Sequence, residues 1–338
     1  MNATRLLNAM ADCHVVIVGD LMLDEYLWGE IARISPEAPV PVLNLRRLEH
    51  SLGGAANVAR NVASLGARVS MIGVVGADRT ASSLFELLDR AGIDREAVLI
   101  EGARPTTCKC RLMSLEHSQQ VFRFDHEVVE EISPVVEDRL LGILRDRIPI
   151  AQTVICSDYL KGVLTQRVLF EIAALARQHG VPIVTAPKDT RPEKYLGASV
   201  LMANLHEFAQ LVKQPITGDA VTWIDQAATC LLDTHHFPTL IVTRGREGMT
   251  LFEQRNGCLL RQDIASVARG VYDVTGAGDT ALSVFALALA AGAARNRAAY
   301  LANIAAGIVV GKRGTACVTV EELVERVSEI GVSLSSAA

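Results

Sequence analysis

The sequence predicts an α/β fold: a mainly parallel sheet with helices on both faces. Two observations carry this. Short continuously apolar runs, such as Val15-Val16-Ile17-Val18 and Val154-Ile155-Cys156, alternate with longer stretches of helical spacing. Strands without polar alternation are buried on both faces, which is the signature of parallel sheets. The composition is the third observation. Half of the 338 residues are hydrophobic and 21% are charged, which excludes intrinsic disorder. A chain of about 300 residues buries roughly 75% of its unfolded surface, so a full core is available. With no linker, repeat or low-complexity tract in view, residues 1–338 read as a single domain.

Taken in order, Val15 to Val18 is a buried strand ending at Gly19-Asp20. Ala55 to Leu65 places Val58, Val62 and Leu65 at helical spacing. Val69 to Val75 is a strand, and Ser82 to Ala91 an amphipathic helix stopped by Gly92. Residues 153–156 form a strand before Ser157-Asp158. Leu164 to His179 is a helix stopped by Gly180. Strands follow at Pro182–Thr185, Val200–Met202 and Leu240–Thr243, then helices at Thr280–Ala291 and Ala298–Val310. Residues 26–45 and 106–125 instead alternate polar with apolar, the second with a turn near Glu116-His117-Ser118. They read as antiparallel edge strands or hairpins. They can pair in space as a small β lid, built from about 22–47 and 105–127.

Several function classes are excluded. The net charge is −5 and no long basic run occurs, so nucleic acid is not the expected partner. Seven cysteines show no Cys-x-x-Cys pair and no zinc spacing, which fits reduced thiols. Cys108 and Cys110 read as two positions on one face of a strand. The N-terminus lacks the apolar core of a signal peptide. The most apolar stretch, Ala281 to Ala294, falls short of the ~20 residues that a membrane span needs. No membrane association is expected, and the expected location is cytoplasmic.

In parallel sheets, ligands bind beyond the C-terminal strand ends. The polar residues closing these strands, Gly19-Asp20, Ser157-Asp158, Asn204 and Arg244-Gly245, predict one shared crevice. The sharpest segment runs from Val271 to Thr280 into an apolar helix. The N–H groups of Gly276, Ala277, Gly278 and Asp279 at a helix N-terminus suit a phosphate. Asp279 would repel a merely bound anion. It makes sense as a base that takes the proton from a hydroxyl attacking that phosphate. A capping Asp after a glycine turn has the same sequence, and this segment alone does not separate the two. Two rival motifs fail. Gly276-x-Gly278-x-x-Ala281 comes too late for a dinucleotide fingerprint. Gly307 to Arg313 is one residue short of a Walker loop and lacks its Ser/Thr. Gly53-Gly54 before Asn57 would let a polyhydroxyl ligand approach closely, or form an ordinary turn.

Together these segments resemble the ribokinase, or PfkB-type, carbohydrate kinase family. Gly53-Gly54-Ala55-Ala56-Asn57-Val58-Ala59 with Leu65-Gly66 is similar to its N-terminal signature, and Asp273 to Asp279 to its C-terminal one. Asn204-Leu205-His206-Glu207 is similar to its Asn-x-x-Glu motif. The resemblance runs from about residue 13 to 325. It implies a ribokinase-like three-layer α/β/α sandwich with a β lid over the sugar. Residues Arg33 to Val42, Ser157 to Gly162 and Tyr272-Asp273-Val274 more closely resemble the heptose 7-phosphate kinase branch. That branch implies phosphoryl transfer from ATP to the anomeric hydroxyl of D-glycero-β-D-manno-heptose 7-phosphate, in ADP-heptose and lipopolysaccharide core synthesis. The chain resembles the stand-alone kinase form, with a separate nucleotidyltransferase expected. In one departure, Ala186-Pro187-Lys188 stands where the family has Asp-Pro-Lys.

The resemblance implies roles. Asp279 is the base, and the loop amides of Gly276, Ala277 and Gly278 stabilise the transferring group. Asp20, Gly53, Gly54 and Asn57 hold sugar hydroxyls. Candidates for the sugar phosphate are Arg33, Lys109, Arg111, Arg123, Lys161 and Lys188. Asn204 and Glu207 organise Mg²⁺ through water, and adenine lies near Thr243, Gly245, Asn303 and Val310. K⁺ beside Asp273 and the Gly311–Gly314 segment follows from the family alone. A β lid has open edges that need covering, so a lid-to-lid homodimer is expected. A nucleoside kinase would line its lid with apolar groups, and a non-catalytic sensor would have no need of Asp279.

Overall fold

A computed structural model describes residues 3–116, 119–255 and 257–330. The chain opens with α1 (Ala3–Ala11), β1 (His14–Gly19), β2 (Leu21–Ile34), β3 (Pro41–Gly54), α2 (Ala55–Ala63) and β4 (Arg68–Val75). It continues through α3 (Arg79–Arg90), β5 (Val98–Ile100), β6 (Thr107–Ser114), β7 (Gln119–His126), α4 (Pro134–Arg147) and β8 (Thr153–Ser157). Next come α5 (Gln166–His179), β9 (Ile183–Ala186), β10 (Val200–Asn204), α6 (Leu205–Leu211), α7 (Ala220–His235) and β11 (Thr239–Thr243). The rest is β12 (Met249–Arg255), β13 (Cys258–Ile264), α8 (Ala277–Ala290), α9 (Arg295–Val309) and α10 (Val320–Ile330).

Nine strands form the main sheet in the order β13-β12-β11-β10-β9-β8-β1-β4-β5. The pairs from β11 to β5 are parallel, and β12 and β13 add an antiparallel edge. Along β1, Val15 and Ile17 enter one core and Val16 and Val18 the other, all fully buried. The first core takes side chains from α2, α8 and α9, such as Val58, Phe285 and Leu301. The second takes them from α4, α5 and α7, such as Leu144, Ile172 and Leu231. This is a three-layer α/β/α sandwich, as expected. The sequence reading did not include α1, α4, α7, α10 or the β12–β13 hairpin.

The second sheet has the order β3-β2-β6-β7. β2–β3 and β6–β7 are antiparallel hairpins, as expected, but β2 and β6 join them in parallel. β3 also runs past the expected boundary to Gly54 and delivers the chain directly into α2. Of the expected turn, positions 117 and 118 lie outside the described residues. Register gives the lid two chemically different faces. Asp24, Lys109 and Asp125 align across three strands, with Tyr26, Arg111 and Arg123 in the next aligned row on that face. The opposite face aligns Leu48, Leu27, Leu112 and Phe122.

Candidate active site

The parallel register brings strand ends together. Gly19 pairs with Ser157, Ser157 with Ala186, and Asn204 with Thr243. One cleft at these ends is lined by Tyr159, Lys188, Asn204, Glu207, Thr243 and Asp279, among others.

Asp279 lies in the first turn of α8, whose N-cap is Gly276 in the left-handed region (φ 80°). A Cβ at Gly276 would also press on Asn57 Nδ2 at 3.2 Å, which adds to the preference for glycine that the backbone angle sets. The Ala277 N–H is turned back to the Val274 carbonyl at 3.2 Å. This corrects its expected place in the anion nest. Gly276, Gly278 and Asp279 make no such backbone bond among the described residues, and these three N–H groups are what remains for an anion.

Both oxygens of Asp279 are held. Asn57 Nδ2 donates to Oδ2 at 2.7 Å, and the Tyr159 hydroxyl donates to Oδ1 at 2.8 Å. Burial pushes the Asp279 pKa up. The two hydrogen bonds and the Lys188 ammonium pull it back. The Tyr159 pKa lies well above the ordinary phenol value, chiefly through burial, so the hydroxyl keeps its proton and donates. The result is an oriented carboxylate beside backbone donors, which can take a proton from a hydroxyl attacking an anion bound there.

Asp20 is a correction. It was expected to touch sugar, but its carboxylate is buried and accepts three backbone N–H bonds, from Tyr159 (2.8 Å), Lys161 (3.1 Å) and Val163 (3.1 Å). It anchors the loop that carries Tyr159. Asp24, four residues on in β2, is a carboxylate on the charged lid face, and sequence reasoning missed it. Its signal was a carboxylate at strand spacing from Met22 and Tyr26, on the face they share. Gly54 is the N-cap of α2 at φ 55°, where a Cβ would stand 2.6 Å from the Asp20 carbonyl. At Gly53 a Cβ would meet the Asp24 carboxylate at 2.8 Å.

The expected phosphate cations are mostly paired with carboxylates. Lys109 lies 3.0 Å from Asp125 and 3.4 Å from Glu127, and Lys161 lies 2.6 Å from Glu127. Arg111 lies 2.6 Å from Asp24 and stacks over Tyr26, and Arg123 lies 3.0 Å from Asp125. Lys188 pairs with Glu207 and sits over the Tyr159 ring. Arg33 is exposed toward the far end of β2, away from this cluster in register. Asn204 caps α6 by a capping box, its Oδ1 accepting from Glu207 N–H and its own N–H donating to Glu207 Oε2, each at 2.9 Å.

Of the adenine candidates, Thr243 lines the cleft and Gly245 follows it in a turn. Asn303 is a correction. Its side chain is buried and donates to the Ala265 carbonyl at 2.8 Å, so α9 packing claims it. The Val310 carbonyl accepts from the N–H groups of Tyr272 and Asp273, so its visible part is to fix the segment before the anion loop. Asp273 in turn accepts from Thr275 N–H (2.9 Å) and Gly314 N–H (3.1 Å). All seven cysteines are unpaired. Among the described residues no helix is long and apolar enough to cross a membrane.

Known proteins are similar to this chain in sequence and fold. The family model described as pfkB family carbohydrate kinase matches residues 13–321. The bifunctional protein HldE of Geobacter metallireducens is 41% identical over 328 residues, covering 96% of this chain and 64% of its own length. HldE of Shewanella piezotolerans is 42% identical, with 96% and 65% covered. The chain thus spans about two thirds of the length of these relatives. Among solved structures, Arabidopsis thaliana ribokinase complexed with ribose and ATP superposes with TM-score 0.73 at 19% identity, over 96% of this chain and 100% of its own. Escherichia coli phosphofructokinase-2 in complex with potassium gives 0.78 at 18%, over 95% and 100%. The chain belongs to the pfkB family of carbohydrate kinases and is a sugar kinase.

Proposed function

We propose that the protein transfers the γ-phosphoryl group of ATP to the anomeric hydroxyl of D-glycero-β-D-manno-heptose 7-phosphate. The products are the 1,7-bisphosphate and ADP. The observation that carries the reading is Asp279, aimed by Asn57 and Tyr159 at the mouth of the anion loop. The relatives named HldE support the substrate, since their kinase domain is the heptose 7-phosphate kinase. So does the lid, whose charged face carries Lys109, Arg111 and Arg123 where a nucleoside would need apolar contacts. The product would serve ADP-heptose formation for lipopolysaccharide core.

In this mechanism Asp279 takes the proton of the anomeric hydroxyl as that oxygen attacks the γ-phosphorus. The bond from γ-phosphorus to the bridging oxygen breaks, and ADP leaves with the electron pair. The N–H groups of Gly276, Gly278 and Asp279 stabilise charge on the transferring group. When bound with the nucleotide, a Mg²⁺ ion would supply neutralisation of phosphate charge, and Asn204 and Glu207 are the residues that would hold it. Glu207 and Asn204 offer oxygen donors that fit a hard cation held through water. Lys109, Arg111 and Lys161 receive the 7-phosphate by exchanging carboxylate partners for it. Closure of the lid excludes water that would otherwise hydrolyse ATP.

The apolar lid face, with Leu48 half-exposed and Phe122 60% exposed, supports pairing of two lids in a homodimer.

The test is ADP release from Mg-ATP with heptose 7-phosphate, fructose 6-phosphate, ribose and adenosine, with Asp279→Asn as control. Turnover on heptose 7-phosphate alone, abolished in the variant, is expected. Turnover on another sugar instead would keep the kinase and discard the heptose. No turnover with any acceptor, despite ligand binding, would favour a sensor.

A further inference from the structure

We infer that Arg60 is a positioning residue for the base: it holds the Asn57 amide in the one orientation that donates to Asp279. Arg60 lies on α2, one turn beyond Asn57. Its Nη2 donates to Asn57 Oδ1 at 2.8 Å and to the Thr315 carbonyl at 2.5 Å. Its Nη1 donates to Ser51 Oγ at 3.1 Å, and Ser51 Oγ meets Thr315 Oγ1 at 2.9 Å. The guanidinium therefore ties α2 to the end of β3 and to the segment after Gly314. Both Nη atoms donate, while Nε is buried without a hydrogen-bond partner.

An asparagine amide has two orientations, and its neighbours choose between them. Here the amide stands between a guanidinium and a carboxylate. As placed, Oδ1 faces the cation and Nδ2 donates to Asp279 at 2.7 Å. Rotated by half a turn, the amide oxygen would face the carboxylate, and its NH₂ would face the guanidinium. Both contacts would then be repulsive. Asn61 Nδ2 donates to the Asn57 carbonyl and approaches Oδ1 at 3.5 Å, which favours the same orientation. Arg60 does not touch Asp279, so its influence passes through Asn57. The other charged or titratable groups that act most strongly on Asp279 are Tyr159, Lys188 and Asp24. The Cys317 thiol lies against Arg60.

The inference rests on Asp279 being the base, but its test does not need turnover. The Asp279 carboxyl is titrated by ¹³C NMR in the labelled, substrate-free chain, its signal identified as the one lost in Asp279→Asn. Arg60→Met and Asn57→Ala should each raise the midpoint by about one pH unit, the scale of one hydrogen bond to a charged group. The double variant should move it no further than either single one. An unmoved midpoint in Arg60→Met would overturn the inference. So would additive shifts, because the guanidinium would then act through space. Should Arg60→Met fail to fold, Arg60→Lys carries the same comparison, since it keeps the charge and gives up the fork. Retained phosphoryl transfer in Asp279→Asn would sink the base assignment and leave the positioning result standing.

Discussion

The Tyr159 hydroxyl donates to Asp279 Oδ1 at 2.8 Å, joining the loop after β8 to the first turn of α8. That bond favours the charged carboxylate, and burial opposes it. Tyr159→Phe removes the bond and keeps the ring beneath Lys188. The Asp279 pKa then rises further. The active form is the carboxylate, so the rate is lost as pH falls through this pKa. The acidic limb of kcat against pH should move to higher pH, by about one unit. Well above the limb, Tyr159→Phe should approach the parent rate. A limb that stays in place would show that the hydroxyl does not tune the base.

Asp279→Asn should separate activity from stability. A general base contributes typically about 10²–10⁴ in rate, and kcat should fall on that scale. Stability should move the other way. The folded pKa of Asp279 is raised, so its ionisation opposes folding above that pKa. The penalty fades as pH falls through the folded pKa and is absent below the unfolded value. Asp279→Asn should therefore melt at a higher temperature at neutral pH, with the gain shrinking on acidification. A lower melting temperature at neutral pH would contradict the pKa direction.

These two residues also show what the sequence can and cannot say. Asp279 was legible because two glycines and a helix start fix its surroundings within four residues. The parallel core was legible because Val15 to Val18 and Val154 to Cys156 admit no exposed face. Tyr159 lay in a segment that matched the family, yet nothing local says that its ring meets α8. Asp20 misled for a related reason. A carboxylate at a strand end suits a ligand as well as it suits three loop amides, and only the return of residues 159–163 decides between them. Arg60 and Asp24 are held in place by partners far along the chain, at Thr315 and Arg111. The parallel join of β2 to β6 was hidden because alternation marks a strand but not the direction of its neighbour.

The lid faces predict an oligomer that one substitution can dissolve. Leu48 and Phe122 lie on opposite edge strands, in one row across the sheet. Phe122→Lys puts a charge on the apolar face of the proposed contact. Sedimentation should show two chains for the parent and one for the variant, with circular dichroism unchanged. A monomeric parent would remove the lid-to-lid proposal.

Arg111 and Asp24 make the most consequential pair of the lid. Arg111 Nη1 donates to Asp24 Oδ1 at 2.6 Å, and both side chains are largely shielded, at 13% and 7% exposure. Truncating one partner leaves the other charge buried and alone, a loss of about 3 kcal/mol. Arg111→Met should therefore lower the melting temperature as well as raise KM for the sugar phosphate. Activity alone cannot tell these effects apart. The double variant Asp24→Asn with Arg111→Met removes both charges, so stability should return toward that of the parent. If Arg111 only stabilises the lid, KM should return with it. If Arg111 receives the 7-phosphate, KM should stay raised while the melting temperature recovers. The second outcome is expected, because Arg111 lies in register with Arg123 and two positions from Lys109 on the same charged face.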